Sequence, residues 1–237
     1  MCVITRAKGE IAERGVMEMA KKSTTEHRKI PLKEDFMMTK TVSARIYGYL
    51  QCNSYLTEDK RRYVLMTDCT PTTIQRGMLE KNGDMNPQSI SLGTIKSGIS
   101  LFKKSELIVQ GEVTIKGSKK KCYYLPEEKS HFQLIELDTL RYLVNTSNSE
   151  VIKVYAYLLN KSQNFVNYSF TGKELAIAIG YDYKQKNTKS KIKDIILFLE
   201  NNGLLVKSNY YEKVGQNGSL PVPRMRIVEV NTKVKGA

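Results

Sequence analysis

The chain has 237 residues, a formal net charge of +14 and a pI near 9.5. Its hydrophobic fraction of 41% can build folded cores, and no window approaches the roughly 18 apolar residues of a membrane span. Four scattered cysteines and two histidines exclude a disulfide scaffold and a zinc finger, leaving a basic protein of one large or two small domains suited to a polyanion.

Residues 1–40 are charged and lack sustained periodicity, which predicts a flexible basic segment outside the folded core. They contain no apolar run like that of a signal peptide, so a cytoplasmic location is expected. Glu13-Arg14-Gly15-Val16 can be encoded by a purine-rich run just before the Met17 codon, as a ribosome-binding site would be. The expectation is a translation start at Met17 or Met19, which N-terminal sequencing tests.

Beyond residue 40 the elements come as a set. "TVSARIYGYLQCN", "PTTIQRGMLEKNG" and "NPQSISLGTIKSGISLFKKSE" read as three helices, followed by strands "LIVQGEVTI" and "KCYYL" around "KGSKKK". "PEEKSHFQLIELDTLRYLVNTSNS" reads as a connecting strand or helix of a second core, with the boundary near 126–130. "SEVIKVYAYLLNKSQN" then places Val151, Val154, Tyr155, Leu158 and Leu159 on one helical stripe. "FTGKELAIAIGY" starts a short helix at Thr171, with Glu174 completing a capping box, and stops at Gly180. "TKSKIKDIILFLENNG" turns Ile192, Ile195, Ile196 and Leu199 inward and ends with Gly203 in the C′ position. "LLVKSNYYEKV" and "RMRIVEV" pair as a hairpin around "GQNGSLPVP".

The two sets are copies of each other. "ARIYGYLQCNS" (44–54) aligns with "IKVYAYLLNKS" (152–162), matching Tyr47 to Tyr155, Leu50 to Leu158 and Ser54 to Ser162. "TIKSGISLFKKSELIV" (94–109) aligns with "KIKDIILFLENNGLLV" (191–206). The offsets are 108 and 97, so the first copy carries about eleven extra residues near "TEDKRRYVLMTDCTP" and "KNGDMNPQSIS". The expected fold class is therefore α+β. It consists of two tandem winged helix-turn-helix domains, 41–128 and 129–237, mainly helical with a β-hairpin wing in each.

Such a motif lays the N-terminal part of its last helix in the major groove while flanking cations hold phosphates. In the second copy a helical wheel sets Asn187, Ser190, Lys193 and Asp194 opposite the apolar stripe, with Lys184, Lys186 and Lys191 beside them. Lys189 falls nearer the buried edge. The first copy offers Ser89, Thr94, Lys96 and Ser97 on its last helix and Lys116, Lys119, Lys120 and Lys121 at its wing tip. The competing reading is that these lysines merely occupy solvated faces. Their clustering at two equivalent positions argues against it.

Enzyme readings find little support. "TGKE" lacks both the upstream glycine and the hydroxyl after Lys173 that a phosphate loop needs, and no H-E-x-x-H or metal-spaced cluster exists. No catalytic residue, metal or cofactor is expected.

The duplicated plan, with helices ending "LFKKSELIV" and "FLENNGLLV" directly before a wing, resembles the tandem winged-helix replication initiator proteins of plasmids and phages over roughly residues 40–230. The resemblance implies binding to origin repeats in double-stranded DNA, recruitment of host replication proteins and repression of the protein's own promoter. The expansion of the first copy leaves a homodimer contact as the alternative role of that domain. Two other functions fit the same residues: a transcriptional regulator of a mobile element, and a winged-helix module whose basic faces bind an acidic protein.

Overall fold

The computed structural model describes residues 26–33, 36–37, 44–79, 90–125, 131–165, 168–212 and 222–235. The expected translation start, Ser89, the domain boundary at 126–130 and the loop 213–221 lie outside the described residues. Those that are described form seven α-helices and three small antiparallel sheets, an α+β arrangement. The first half runs β1 (His27–Pro31), α1 (Ala44–Cys52), β2 (Tyr55–Leu56), β3 (Arg62–Leu65), a 3-10 turn (Met66–Cys69), α2 (Pro71–Leu79), α3 (Leu92–Lys104), β4 (Val109–Ile115) and β5 (Ser118–Leu125). The second runs β6 (Phe132–Glu136), α4 (Leu137–Thr146), α5 (Ser149–Asn164), β7 (Ser169–Phe170), α6 (Gly172–Ala178), α7 (Lys186–Asn201), β8 (Leu205–Glu212) and β9 (Val222–Val230).

Equivalent residues of the two copies do equivalent physical work. Tyr47 and Tyr155 are both 1% exposed, and Leu50 and Leu158 are fully buried. The Ser54 hydroxyl donates to the Gln51 carbonyl at 2.7 Å and that of Ser162 to the Leu159 carbonyl at 2.9 Å, each three residues back. Further on, α3 and α7 end alike. The Leu107 amide donates to Phe102 and the Leu204 amide to Leu199, both at 2.9 Å, closing a Schellman motif over the last turn. That motif needs a left-handed residue, supplied by Gly203 (φ +67°) in one copy and by Glu106 (φ +56°) in the other. The Thr171–Glu174 capping box is formed, with both reciprocal bonds present.

The extra length of the first copy has a visible use. Where the second copy has only β7 beside β9, the first has the β2–β3 hairpin, so its sheet runs β2-β3-β5-β4 against β7-β9-β8. The turn between β4 and β5 is confined to Lys116 and Gly117, whose φ values of +48° and +77° suit a two-residue primed turn. Lys119, Lys120 and Lys121 therefore lie along β5, paired with Thr114, Val113 and Glu112, and not in the tip as expected from sequence.

The expectation that residues 1–40 lie outside the folded core needs correcting for 27–33 and 36–37. β1 pairs with β6 across the two halves, and Ile30 and Phe36 are 0% and 2% exposed. The segment between the copies likewise belongs to both cores. α4 packs on α5 and against α1, where a Cβ at Gly48 would stand 2.8 Å from Val144 Cγ2. One continuous apolar cluster results, running from Ile30 to Val234.

Buried cations line this seam. Arg28 donates to the Gln51 carbonyl at 2.9 Å and pairs with Glu26 at 2.7 Å. Arg45 donates to the carbonyls of Val144 (2.7 Å) and Met78 (3.3 Å), and Lys153 to that of Met37 (3.1 Å). Burial presses the Lys153 pKa down to about 8. Cys52, Cys69 and Cys122 are buried free thiols, and burial pushes the first two up to about 12, which leaves them unreactive near neutrality.

Candidate nucleic-acid interface

The face of α7 away from the core carries Lys186, Ser190, Lys193 and Leu197 in a line, all exposed. That follows from spacing alone, because Thr188, Ile192, Ile195, Ile196 and Leu199 occupy the other side. Two depressions flank the line. One, of about 370 Å³, is lined by Asn148, Asn187, Ser190, Lys191 and Asp194 together with Val151 and Ile195. The other, of about 760 Å³, lies between α7, the start of α6 and the β8–β9 sheet, and gathers Lys173, Lys189, Lys193, Lys207 and Arg224 around Ile192, Ile196 and Met225.

The electrostatics separate the lysines of this helix. Lys186 and Lys193 are exposed, as are Lys184 and Asn187. Lys191 is tied down: its ammonium stands 3.5 Å from Glu150, donates to the Tyr181 hydroxyl at 3.1 Å and lies 4.5 Å over that ring. Tyr181 in turn donates to Glu150. Burial disfavours the Lys191 charge, but the Tyr181 bond and the Glu150 carboxylate outweigh it and hold the pKa above the ordinary lysine value. Lys189 is the exposed one, set 5.4 Å over the Tyr183 ring on the wall of the larger groove. This reverses the order expected from the helical wheel, which sets Lys191 beside the outer face and Lys189 nearer the buried edge. A helical wheel gives the angle of a side chain and not the neighbours brought to it by other elements.

In the first half, α3 exposes Lys96 and Ser97 beside Ser100 and Lys104 along a shallow depression. Thr94 is exposed, but its hydroxyl is 2.9 Å from that of Ser91, the N-cap whose side chain accepts the Thr94 amide. Its first duty is local capping. Lys116, Lys119, Lys120 and Lys121 are all exposed on the β4–β5 hairpin. Tyr123 is buried and Tyr124 donates to the Glu112 carbonyl across the strands at 2.7 Å, so both serve the sheet.

Lys173, Lys207 and Arg224 were not singled out by sequence. They come from three different elements, and no local signal could have joined them. Lys207 is paired with Glu200 at 3.1 Å and Arg224 with Glu174 at 3.8 Å. Among the described residues no cluster of acidic, histidine or cysteine side chains could hold a metal ion, and no helix is long and apolar enough to cross a membrane. Comparison with known proteins finds no matching family model, no similar curated protein and no similar solved structure.

Proposed function

We propose that each half is a winged helix-turn-helix domain and that the chain is a sequence-specific binder of double-stranded DNA, acting as a replication initiator of a plasmid or phage. One observation carries this reading. Three helices followed by a two-stranded hairpin occur twice, with the β2–β3 hairpin between the first two helices of one half and the single strand β7 in the other, and each third helix turns a polar face with free-standing lysines outward: Lys96 on α3, Lys186 and Lys193 on α7. The hairpin after α3 adds four exposed lysines, so groove-reading and phosphate-holding groups lie on consecutive elements. Asn187 and Ser190 are the groups on α7 able to read base edges, and Asn187 can do so bidentately. The reading assigns no catalytic residue and no cofactor.

Titration of a labelled fragment of the gene's own upstream region, against a scrambled duplex at several salt concentrations, tests DNA binding. Preferential binding with a linear log–log salt dependence is expected. Equal weak binding to both duplexes would refute sequence recognition. Whether the gene and its flanking repeats sustain a plasmid tests the initiator role, and binding without plasmid maintenance would identify a repressor.

A further inference from the structure

We infer that the groove between α7 and the β8–β9 sheet docks a short acidic segment of another protein, one that carries an apolar anchor. The groove holds about 760 Å³, enough for a few side chains. Its wall presents Lys173, Lys189 and Lys193, while Ile196 and Met225 lie below and Leu197, 50% exposed, stands at its lip. Duplex phosphates would satisfy the cations but gain nothing from covering Leu197 and Met225. An oligoanion without apolar groups leaves the same surface wet. A large apolar side chain left half open inside a cationic rim is matched by a ligand with both properties.

Position and charge narrow the occupant. Leu197 lies eleven residues beyond Lys186, about 16 Å along the axis at 1.5 Å per residue, and one turn beyond Lys193, the last cation of the DNA reading, which the two surfaces share. A second copy of the chain is disfavoured, because two chains of net charge +14 repel and the rim needs carboxylates. The occupant is therefore a different protein, held as an acidic peptide. This inference does not depend on which DNA sequence is read.

The test uses the full chain and two fluorescent peptides of twelve residues and equal negative charge, an oligoglutamate and a Glu/Asp peptide with two leucines. The leucine-bearing probe should bind about tenfold tighter by anisotropy, the size of effect expected from burying one leucine lip. Leu197→Gln should abolish that advantage while leaving oligoglutamate affinity unchanged, and Leu197→Met should restore it. Circular dichroism checks the fold of each variant. Equal binding of the two probes, insensitivity to Leu197→Gln, or no binding of either would overturn the inference. Binding of the upstream DNA fragment, measured alongside, reports on the proposed function separately.

Discussion

Lys191 and Lys193 lie two residues apart on α7, yet they should respond differently to a polyanion. Each phosphate neutralised on duplex DNA contributes about 0.9 to the magnitude of the log–log salt slope through released counterions. That contribution requires a cation whose charge is not already balanced. Lys193 is exposed on the outer line of the helix, as is Lys186. Lys191 is held by Glu150 at 3.5 Å and by the Tyr181 hydroxyl and ring, so moving it to a phosphate would break those contacts. Replacing Lys186 and Lys193 together by Gln should flatten the slope by about 1.8 and weaken binding to all duplexes by about 2 kcal/mol near 0.15 M salt. Lys191→Gln should leave the slope within about 0.3 of wild type and lower thermal stability slightly, since a partly exposed pair contributes little. Anisotropy titrations from low to high salt on one labelled duplex measure the slopes of the wild type, the double variant, Lys191→Gln and Lys193→Gln. If Lys191→Gln flattens the slope as much as a single Lys193→Gln, with the fold intact by circular dichroism, the assignment of Lys191 to Glu150 and Tyr181 is wrong.

Three further outcomes concern stability. Glu106 holds a left-handed conformation that its glycine counterpart Gly203 adopts without strain, so Glu106→Gly should stabilise by about 0.5–1 kcal/mol in urea denaturation, and a loss would contradict the shared C-cap. Ile30 is fully buried on β1, and Ile30→Ala should cost about 2–5 kcal/mol; a change under about 0.5 kcal/mol would return residues 27–31 to a loose tail. Burial lowers the Lys153 pKa from 10.5 to about 8, so between those values the unfolded chain binds more protons and this residue's contribution to stability rises with pH. Relative to Lys153→Met, the wild type should gain up to about 3 kcal/mol across that window, and a flat difference would refute the assignment. Cys52 and Cys69, raised by burial, act with the opposite sign above pH 9 but cancel in the comparison.

The second half was the more legible because its signals are local. Thr171 and Glu174 meet within one turn, and Gly203 caps the helix that precedes it. An apolar stripe of period 3.6 places α5 and α7 without reference to the rest of the chain. β1 escaped for the opposite reason. Its five residues, HRKIP, alternate too weakly to register, and its partner β6 lies about a hundred residues away. The β4–β5 turn was blurred because "KGSKKK" is uniformly polar, and only the positive φ of Lys116 and Gly117 shows where the chain reverses. The polar face of α7 was readable, but the fate of each lysine was not. Glu150 reaches Lys191 from α5, and Lys173 reaches the groove from α6.

The same distinction explains why a chain with so many surplus cations buries some of them. Helix C-termini leave carbonyls without intrahelical partners and carry the negative end of the macrodipole. Where two halves press together and exclude water, those carbonyls need donors from another element. Arg45 reaches from α1 to the last turns of both α4 and α2, Arg28 reaches from β1 to the last turn of α1, and Lys153 reaches from α5 to the chain beyond β1. Prising the halves apart would strand the Val144 and Met37 carbonyls, whose donors lie in the opposite half, and uncover Ile30 where β1 leaves β6. The seam therefore couples the two copies through the N-terminal strand, and the cations inside the protein serve its assembly while those on α7 and the β4–β5 hairpin face outward.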